Sequence, residues 1–282
     1  MKKGFTLIEI LSVIVILAVI SIIAYPKIID VISISKVSAY NSAKGNIIES
    51  AKLKYLADVN SAKVIEYTVD DLISSGYLDK NTKNPITMKN YEDTKVLVTA
   101  HDNDVSFNYV DGKTLYDVVS EQDDSSGLYK YDDEYVFKGS NPRNYVSFDG
   151  QIYRILKTDE YHSIYLLKDE EITHIKKDGL NSYINSYYND NYLEKVKNNL
   201  ISFSLLSYSD YLNSFINDET YIINNSSIWV EYSDSFKYLS YLTNELTDLD
   251  NYGNVRFVLK LKNYLTVLSG DGSQLNPYVV NE

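Results

Sequence analysis

The chain has 282 residues, with 39 acidic against 27 basic side chains and a formal net charge of −12. A field of that sign repels phosphate backbones, which argues against general nucleic-acid binding. Cysteine is absent, so disulfides, thiol nucleophiles and zinc–thiolate sites are excluded and stability must come from packing. The length accommodates a helical stalk and two modest globular units, at about 100–150 residues per domain.

Met1-Lys2-Lys3-Gly4-Phe5-Thr6-Leu7-Ile8-Glu9 opens an apolar run to Tyr25 in which Glu9 carries the only charge. A carboxylate at membrane depth costs about 2.5–3.5 kcal/mol on insertion scales, which marks Glu9 as a functional residue. At a helical rise of about 1.5 Å per residue, Phe5 to Tyr25 spans roughly 30 Å, the thickness of a hydrocarbon core. A secretory signal peptide would carry a shorter apolar region of about 7–15 residues and a small-residue cleavage site, and Ser21-Ile22-Ile23-Ala24-Tyr25 offers none. A plain signal anchor accounts for the length and for the flanking Lys2 and Lys3. It leaves Glu9 and the Gly4-Phe5-Thr6-Leu7 string unexplained.

Together the basic leader, the Gly-Phe junction, Glu9 and the unbroken apolar helix resemble the signal of type IV prepilins and type II secretion pseudopilins. The resemblance implies cleavage by prepilin peptidase between Gly4 and Phe5, N-methylation of Phe5, and packing of the helix in a filament core after it leaves the membrane. Subunit assembly would then rest on Phe5 and Glu9, the carboxylate meeting the Phe5 amine of an adjacent subunit where an unpaired charge is expensive. Residues 1–4 are the expected leader and 5–26 the transmembrane and filament-core helix. Pro26 is expected to kink or locally melt that helix; many type IV pilins carry a proline at the corresponding place.

From 28 to 59 the helical period resumes in amphipathic form, with Ala39, Ala43, Ile47, Ala51 and Tyr55 recurring every four residues, a stripe expected to pack on a sheet. Thr68 and Asp71 stand as a capping-box pair ahead of a short helix stopped by Gly76. The Gly-Tyr-Leu ending, followed by a turn at Asn84-Pro85, resembles minor pilins and pseudopilins. Strands are predicted over 94–100 and 104–110, joined at His101-Asp102-Asn103. The expected pilin module is thus 27–110, a long helix with a small antiparallel sheet.

The acidic, small-residue stretch 111–127 reads as a linker, and 128–282 as a second α+β domain displayed outside the cell. In it we expect a hairpin turning at Asp149-Gly150, a strand over 163–167, a Tyr- and Asn-rich helix over 181–198, a second helix from about 205 capped by Ser207 or Ser209, and strands over 255–262 and before the C-terminus. The order Tyr153-Arg154-Ile155, Leu205-Leu206-Ser207, Ile228-Trp229, Val255-Arg256-Phe257-Val258 and Gly270-Asp271-Gly272-Ser273 with Asn276-Pro277-Tyr278 resembles an extracellular domain that low-GC Gram-positive bacteria append to pilin-like anchors. It also loosely resembles the formylglycine-generating-enzyme and C-type-lectin-like fold. The abundance of Tyr (28) against Trp (1), with many Asn, Lys, Ile and Ser, points to the same Gram-positive source.

No catalytic constellation is readable. His101, His162 and His174 are isolated and read as surface residues, and no metal-binding or nucleophile-elbow string is present. Asp248-Leu249-Asp250-Asn251-Tyr252-Gly253 begins like a calcium loop, but Tyr252 and Leu259 stand where ligands belong. Tyr183, Tyr187, Tyr188 and Tyr192 suit either a binding surface or the core face of a helix, with core use preferred. The reading is therefore a non-enzymatic minor pilin or pseudopilin, a single-pass membrane protein before assembly and a surface filament subunit afterwards, with no cofactor and no metal. Its implied partners are prepilin peptidase, other pilin subunits, an assembly platform with its ATPase, and the membrane. The alternative is a pilin-anchored adhesin or glycan-binding protein, and the sequence names no extracellular ligand.

Overall fold

The computed structural model describes residues 6–58, 62–102, 104–223, 226–248 and 252–281. Two compact units divide it: Met1–Val59 with Thr68–Glu92, and Asn60–Tyr67 with Asp93–Glu282.

The first unit is dominated by α1 (Leu7–Ala57), a single helix that runs through Pro26 without ending there. Only its C-terminal part is covered: Ile47, Ser50 and Ala51 are buried, while Ala39 of the expected stripe is exposed. The strand β1 (Val64–Thr68) leads directly into α2 (Val69–Ser74). Thr68 and Asp71 form the expected capping box, Asp71 N–H donating to Thr68 Oγ1 at 3.0 Å and Thr68 N–H to Asp71 Oδ2 at 3.0 Å, and Gly76 follows at φ +79°. Val69 and Leu72 turn inward, and Ser50 Oγ donates to the Tyr77 carbonyl at 2.9 Å, tying α1 to the segment after α2. Asn84 Oδ1 accepts the Ile86 and Thr87 N–H groups, closing the Asn-Pro turn.

In the second unit β2 (Thr94–His101) and β3 (Asp104–Asp111) pair antiparallel from Thr94↔Asp111 to His101↔Asp104, and β1 completes a three-stranded sheet in the order β1-β2-β3. This sheet falls in the same unit as the C-terminal residues, whereas the sequence reading grouped it with the long helix. The expected linker 111–127 instead holds α3 (Leu115–Ser120), a capping-box helix opened by Thr114 and Asp117. Its Leu115 and Val119 are buried in the main core. The acidic residues that made the stretch look solvated lie on its other positions, and two apolar residues four apart suffice to anchor one helical turn.

The main core lies between two larger sheets. β4 (Leu128–Tyr131) and β5 (Glu134–Phe137) form a hairpin, and β5 pairs with β7 (Gln151–Thr158). β6 (Tyr145–Phe148) meets β7 across the expected turn, where Asp149 and Gly150 both take positive φ, as a two-residue turn matching strand twist requires. β8 (Ile164–Lys168) follows in the same sheet, and β9 (Ile172–Lys176) crosses to the other one.

The predicted helix 181–198 is two helices, α4 (Leu180–Asn191) and α5 (Glu194–Lys197), broken at Tyr192. Tyr192 takes extended backbone and is buried with its hydroxyl 2.8 Å from that of Tyr153. A buried phenol must find a partner, and reaching this one takes Tyr192 out of the helical path. β10 (Leu200–Leu205) precedes the second expected helix, α6 (Tyr208–Asn213), whose cap is Ser207, one of the two expected, its Oγ accepting the Asp210 N–H at 3.0 Å.

The remaining strands are β11 (Ile228–Tyr232), β12 (Ser235–Leu239), β13 (Leu246–Thr247), β14 (Tyr252–Val255), β15 (Phe257–Leu261), β16 (Val267–Ser269) and β17 (Tyr278–Val280). One sheet runs β10-β15-β8-β7-β6-β17-β16 and the other β13-β12-β11-β14-β9. The predicted strand 255–262 is thus split at Arg256, with β14 in one sheet and β15 in the other. β8 and β9 change sheets in the same way around Asp169. Trp229, fully buried, donates its indole N–H to the Ile175 carbonyl at 2.9 Å, joining β11 to β9.

Two sequence strings take their meaning from this framework. Arg256 sits where β14 and β15 part, donating to the carbonyls of Lys168, Ile222 and Asp169. Arg154 lies 3.8 Å from the Tyr145 ring centroid and 4.7 Å from that of Tyr221, and donates to Asn144 Oδ1 and Tyr145 Oη. The arginines of the Tyr-Arg-Ile and Val-Arg-x-Val strings are therefore buried clamps. In the Gly-Asp-Gly-Ser string a Cβ at Gly270 would stand 2.0 Å from the Pro277 carbonyl oxygen, so only glycine fits this turn before the last strand. β17 then runs parallel beside β6.

Candidate functional site

The N-terminal helix begins with a cap. Thr6 takes extended backbone, its N–H and Oγ1 each reach Glu9 Oε2 at 2.8 Å, and its Oγ1 accepts the Glu9 N–H at 3.4 Å. Glu9 thus occupies the third helical position of a capping box, where a carboxylate also meets the positive end of the helix dipole. The sequence reading assigned Glu9 to a neighbouring subunit and missed this local partner, which the Thr-x-x-Glu spacing of Thr6 and Glu9 announces. Gly4 and Phe5, the expected processing residues, lie outside the described residues.

From Ile10 to Tyr25 the helix carries no charged side chain. Ser12 and Ser21 turn their hydroxyls onto the carbonyls of Ile8 and Leu17 at 2.8 and 2.7 Å, so neither presents an open hydrogen-bonding group. Leu7, Ile8, Leu11, Ile14, Leu17, Ile20 and Ile23 are all exposed, and α1 is long and apolar enough to cross a membrane. Exposure does not stop at Pro26: Ile28, Val31, Ile32, Ile34 and Val37 are each half or more open. From Leu7 to Val37 the helix is about 46 Å long, whereas a bilayer core covers about 30 Å.

The other residues singled out from sequence do not converge. His101 Nδ1 is 3.3 Å from Asp102 and its ring lies 5.0 Å from that of Tyr161. His162 departs from the expected surface position: it is half-buried and stacked on Tyr116, with centroids 3.7 Å apart. Burial pushes its pKa below the ordinary histidine value, against the carboxylates of Glu66, Asp117 and Asp159. Asp248 is engaged by Lys237 at 2.6 Å and by Lys177 at 3.5 Å, and residues 249–251 of the calcium-like string lie outside the described residues. Among the described residues no group of three His, Asp or Glu side chains is placed to hold a metal ion.

Tyr183, Tyr187 and Tyr188 lie half-buried on the main core, with Tyr187 4.5 Å from Phe257 and Tyr188 5.4 Å from Phe203 by ring centroids. This is the core use preferred from their spacing. A polar cluster not foreseen joins β1, β2 and α3: Lys95 Nζ lies 2.8 Å from both Glu66 and Asp117. Burial works against its ammonium, yet the hydrogen bonds to Asp117 and Glu66 outweigh that and hold its pKa above the ordinary lysine value. Arg256 stays charged although burial draws its pKa down to about 10, against Asp169 and Glu171.

Residues 1–25 match the family model described as the prokaryotic N-terminal methylation motif. No curated protein and no solved structure shows significant similarity to the chain, so the lectin-like likeness expected for 128–282 rests on its motifs alone. The matched motif implies processing by prepilin peptidase and assembly with other pilins, and the apolar helix fits a membrane-anchored precursor. With that motif at its head and the long apolar helix behind it, the chain is type IV pilin-like.

Proposed function

We propose that this chain is a minor type IV pilin or pseudopilin, a non-enzymatic subunit of an extracellular filament or of a secretion or competence pseudopilus. In this reading prepilin peptidase cuts between Gly4 and Phe5, the precursor rests in the membrane of a Gram-positive cell, and residues 128–282 are displayed outside. The observation that carries it is the mismatch on α1. Exposed apolar side chains, now interleaved with Lys27, Asp30 and Lys36, continue through Val37, about 15 Å past what a bilayer covers, and water is a poor solvent for them. Packing against like helices of other subunits covers this stretch; a simple membrane anchor leaves it wet.

The size of the displayed part favours a low-copy position. A subunit repeated along the whole filament must fit its displayed part beside every neighbour, whereas one at a tip or at low stoichiometry is free of that constraint. Quantitative peptide mass spectrometry of sheared surface filaments tests the reading. Peptides from residues 93–282 should be present well below the level of a more abundant pilin-like protein and should vanish in cells expressing Glu9→Leu. Equal abundance rejects the minor role; absence from the sheared fraction rejects the filament.

A further inference from the structure

Within the second unit, the end of the β2–β3 hairpin and the segment after β15 enclose a cleft of about 260 Å³. We propose that this cleft binds a saccharide carrying a carboxylate or phosphate group. The inference does not depend on filament assembly, since every residue it uses lies in one unit of the chain.

The lining has three kinds of group. His101, Tyr161 and Tyr264 line it with aromatic rings, and contact of sugar C–H groups with such rings is the apolar half of saccharide recognition, with polar tips left free to bond. Ser106 and Asn108 supply hydroxyl and amide groups, which match sugar hydroxyls as donors and acceptors. Lys260 and Lys262 supply charge, and among the described residues that line the cleft none is a carboxylate, Asp159 standing behind Lys260. In a chain with 39 acidic against 27 basic side chains, that local inversion selects an anion.

The two lysines are not equivalent. Lys260 is held by Asp159 at 2.7 Å, which fixes it in place and neutralises it. Lys262 forms no ion pair among the described residues, and its Nζ lies 5.9 Å from the Tyr264 ring centroid. It is the cation available to a ligand. The walls are set in advance: buried Asn263 donates to Thr99 Oγ1 at 2.8 Å and to the Tyr161 carbonyl at 3.0 Å, tying the segment after β15 both to β2 and to the loop bearing Tyr161. Ligand clefts run from about 300 Å³ upward, so this one, just below that range, suits a ligand no larger than a single sugar ring. A nucleotide is disfavoured because the cleft has neither a glycine-rich loop nor a helix N-terminus to cradle a polyphosphate.

The test uses the full chain in amine-oxide micelles, whose headgroup carries neither sugar nor phosphate. Saturation-transfer NMR measures binding of glucuronic acid, glucose 6-phosphate, glucose and inorganic phosphate. The charged sugars should bind with Kd of about 1 mM or tighter and glucose about tenfold more weakly. Lys262→Gln should remove that preference and Tyr264→Ala should weaken every sugar, both with unchanged far-UV circular dichroism and Trp229 fluorescence. Four results each overturn the proposal: no binding of either charged sugar, equal binding of glucose, undiminished preference in Lys262→Gln, or inorganic phosphate binding as tightly as glucose 6-phosphate.

Discussion

Residues 7–37 and residues 93–281 solve opposite problems with the same apolar side chains. In α1, Leu7, Ile14, Ile20 and Ile34 stand exposed, and no tertiary partner selects one over another. In the β-rich unit Phe137, Phe148, Tyr153, Trp229 and Phe257 are fully buried, and the Tyr153 hydroxyl and the Trp229 indole N–H are tied to Tyr192 and the Ile175 carbonyl. The first region is a surface waiting for a solvent of lipid or of other helices; the second is a self-sufficient core. Mutations should therefore separate into those that unfold the chain and those that leave it folded but strand its helix.

The largest folding effect is expected at the sheet crossover. Arg256→Ala leaves the Lys168, Ile222 and Asp169 carbonyls without their donor and should cost about 3–5 kcal/mol, read by urea unfolding through the sole, buried tryptophan. Arg256→Lys should recover little, because one ammonium cannot reproduce the planar fork. Next comes Lys95→Ala, which leaves Asp117 only its capping bond to Thr114 and Glu66 unpaired, at about 2 kcal/mol by the same assay; a cost under about 0.5 kcal/mol marks the cluster as an ordinary surface pair. Tyr192→Phe removes the hydroxyl contact with Tyr153 and should cost about 1 kcal/mol by the same assay.

A smaller, pH-dependent effect is expected at His162. Its pKa is lowered in the folded state, so the unfolded chain takes up the proton more readily. The stability it contributes is complete above the unfolded value of about 6.5 and is lost as pH falls below it. His162→Phe keeps a ring against Tyr116 and should flatten the stability profile between about pH 7.5 and 5 relative to the parent chain. The smallest folding effect belongs to α1. Ile14→Ala should change urea unfolding by less than about 0.5 kcal/mol. A larger change there ends the comparison, because it requires the helix to be packed within the chain.

What the sequence disclosed follows the same division. The long apolar helix, the Thr68 cap, the hairpin at Asp149-Gly150 and the strands beside His101 rest on local rules, and each is readable in a short window. Glu9 shows the limit even there: its Thr6 partner is only three residues away, yet the same carboxylate in an apolar run points equally to a charge on a neighbouring subunit. Elements that failed depend on contacts far apart in sequence. Tyr192 leaves its helix for Tyr153, α3 survives in an acidic stretch because Leu115 and Val119 reach the core, and the strand around Arg256 divides because two sheets meet at it. The paired arginines were visible as strings, but their burial was not, because an isolated Arg reads as surface until a fold supplies carbonyls for it.

The central claim is that the N-terminus enters the pilin pathway, and the intact mass and N-terminal peptide of the protein from cells with and without prepilin peptidase test it most directly. The account predicts a mature chain beginning at Phe5, carrying an added methyl, in the first strain and an uncut chain beginning at Met1 in the second. Retention of Met1 to Gly4 in both strains would contradict it and leave α1 as an ordinary anchor.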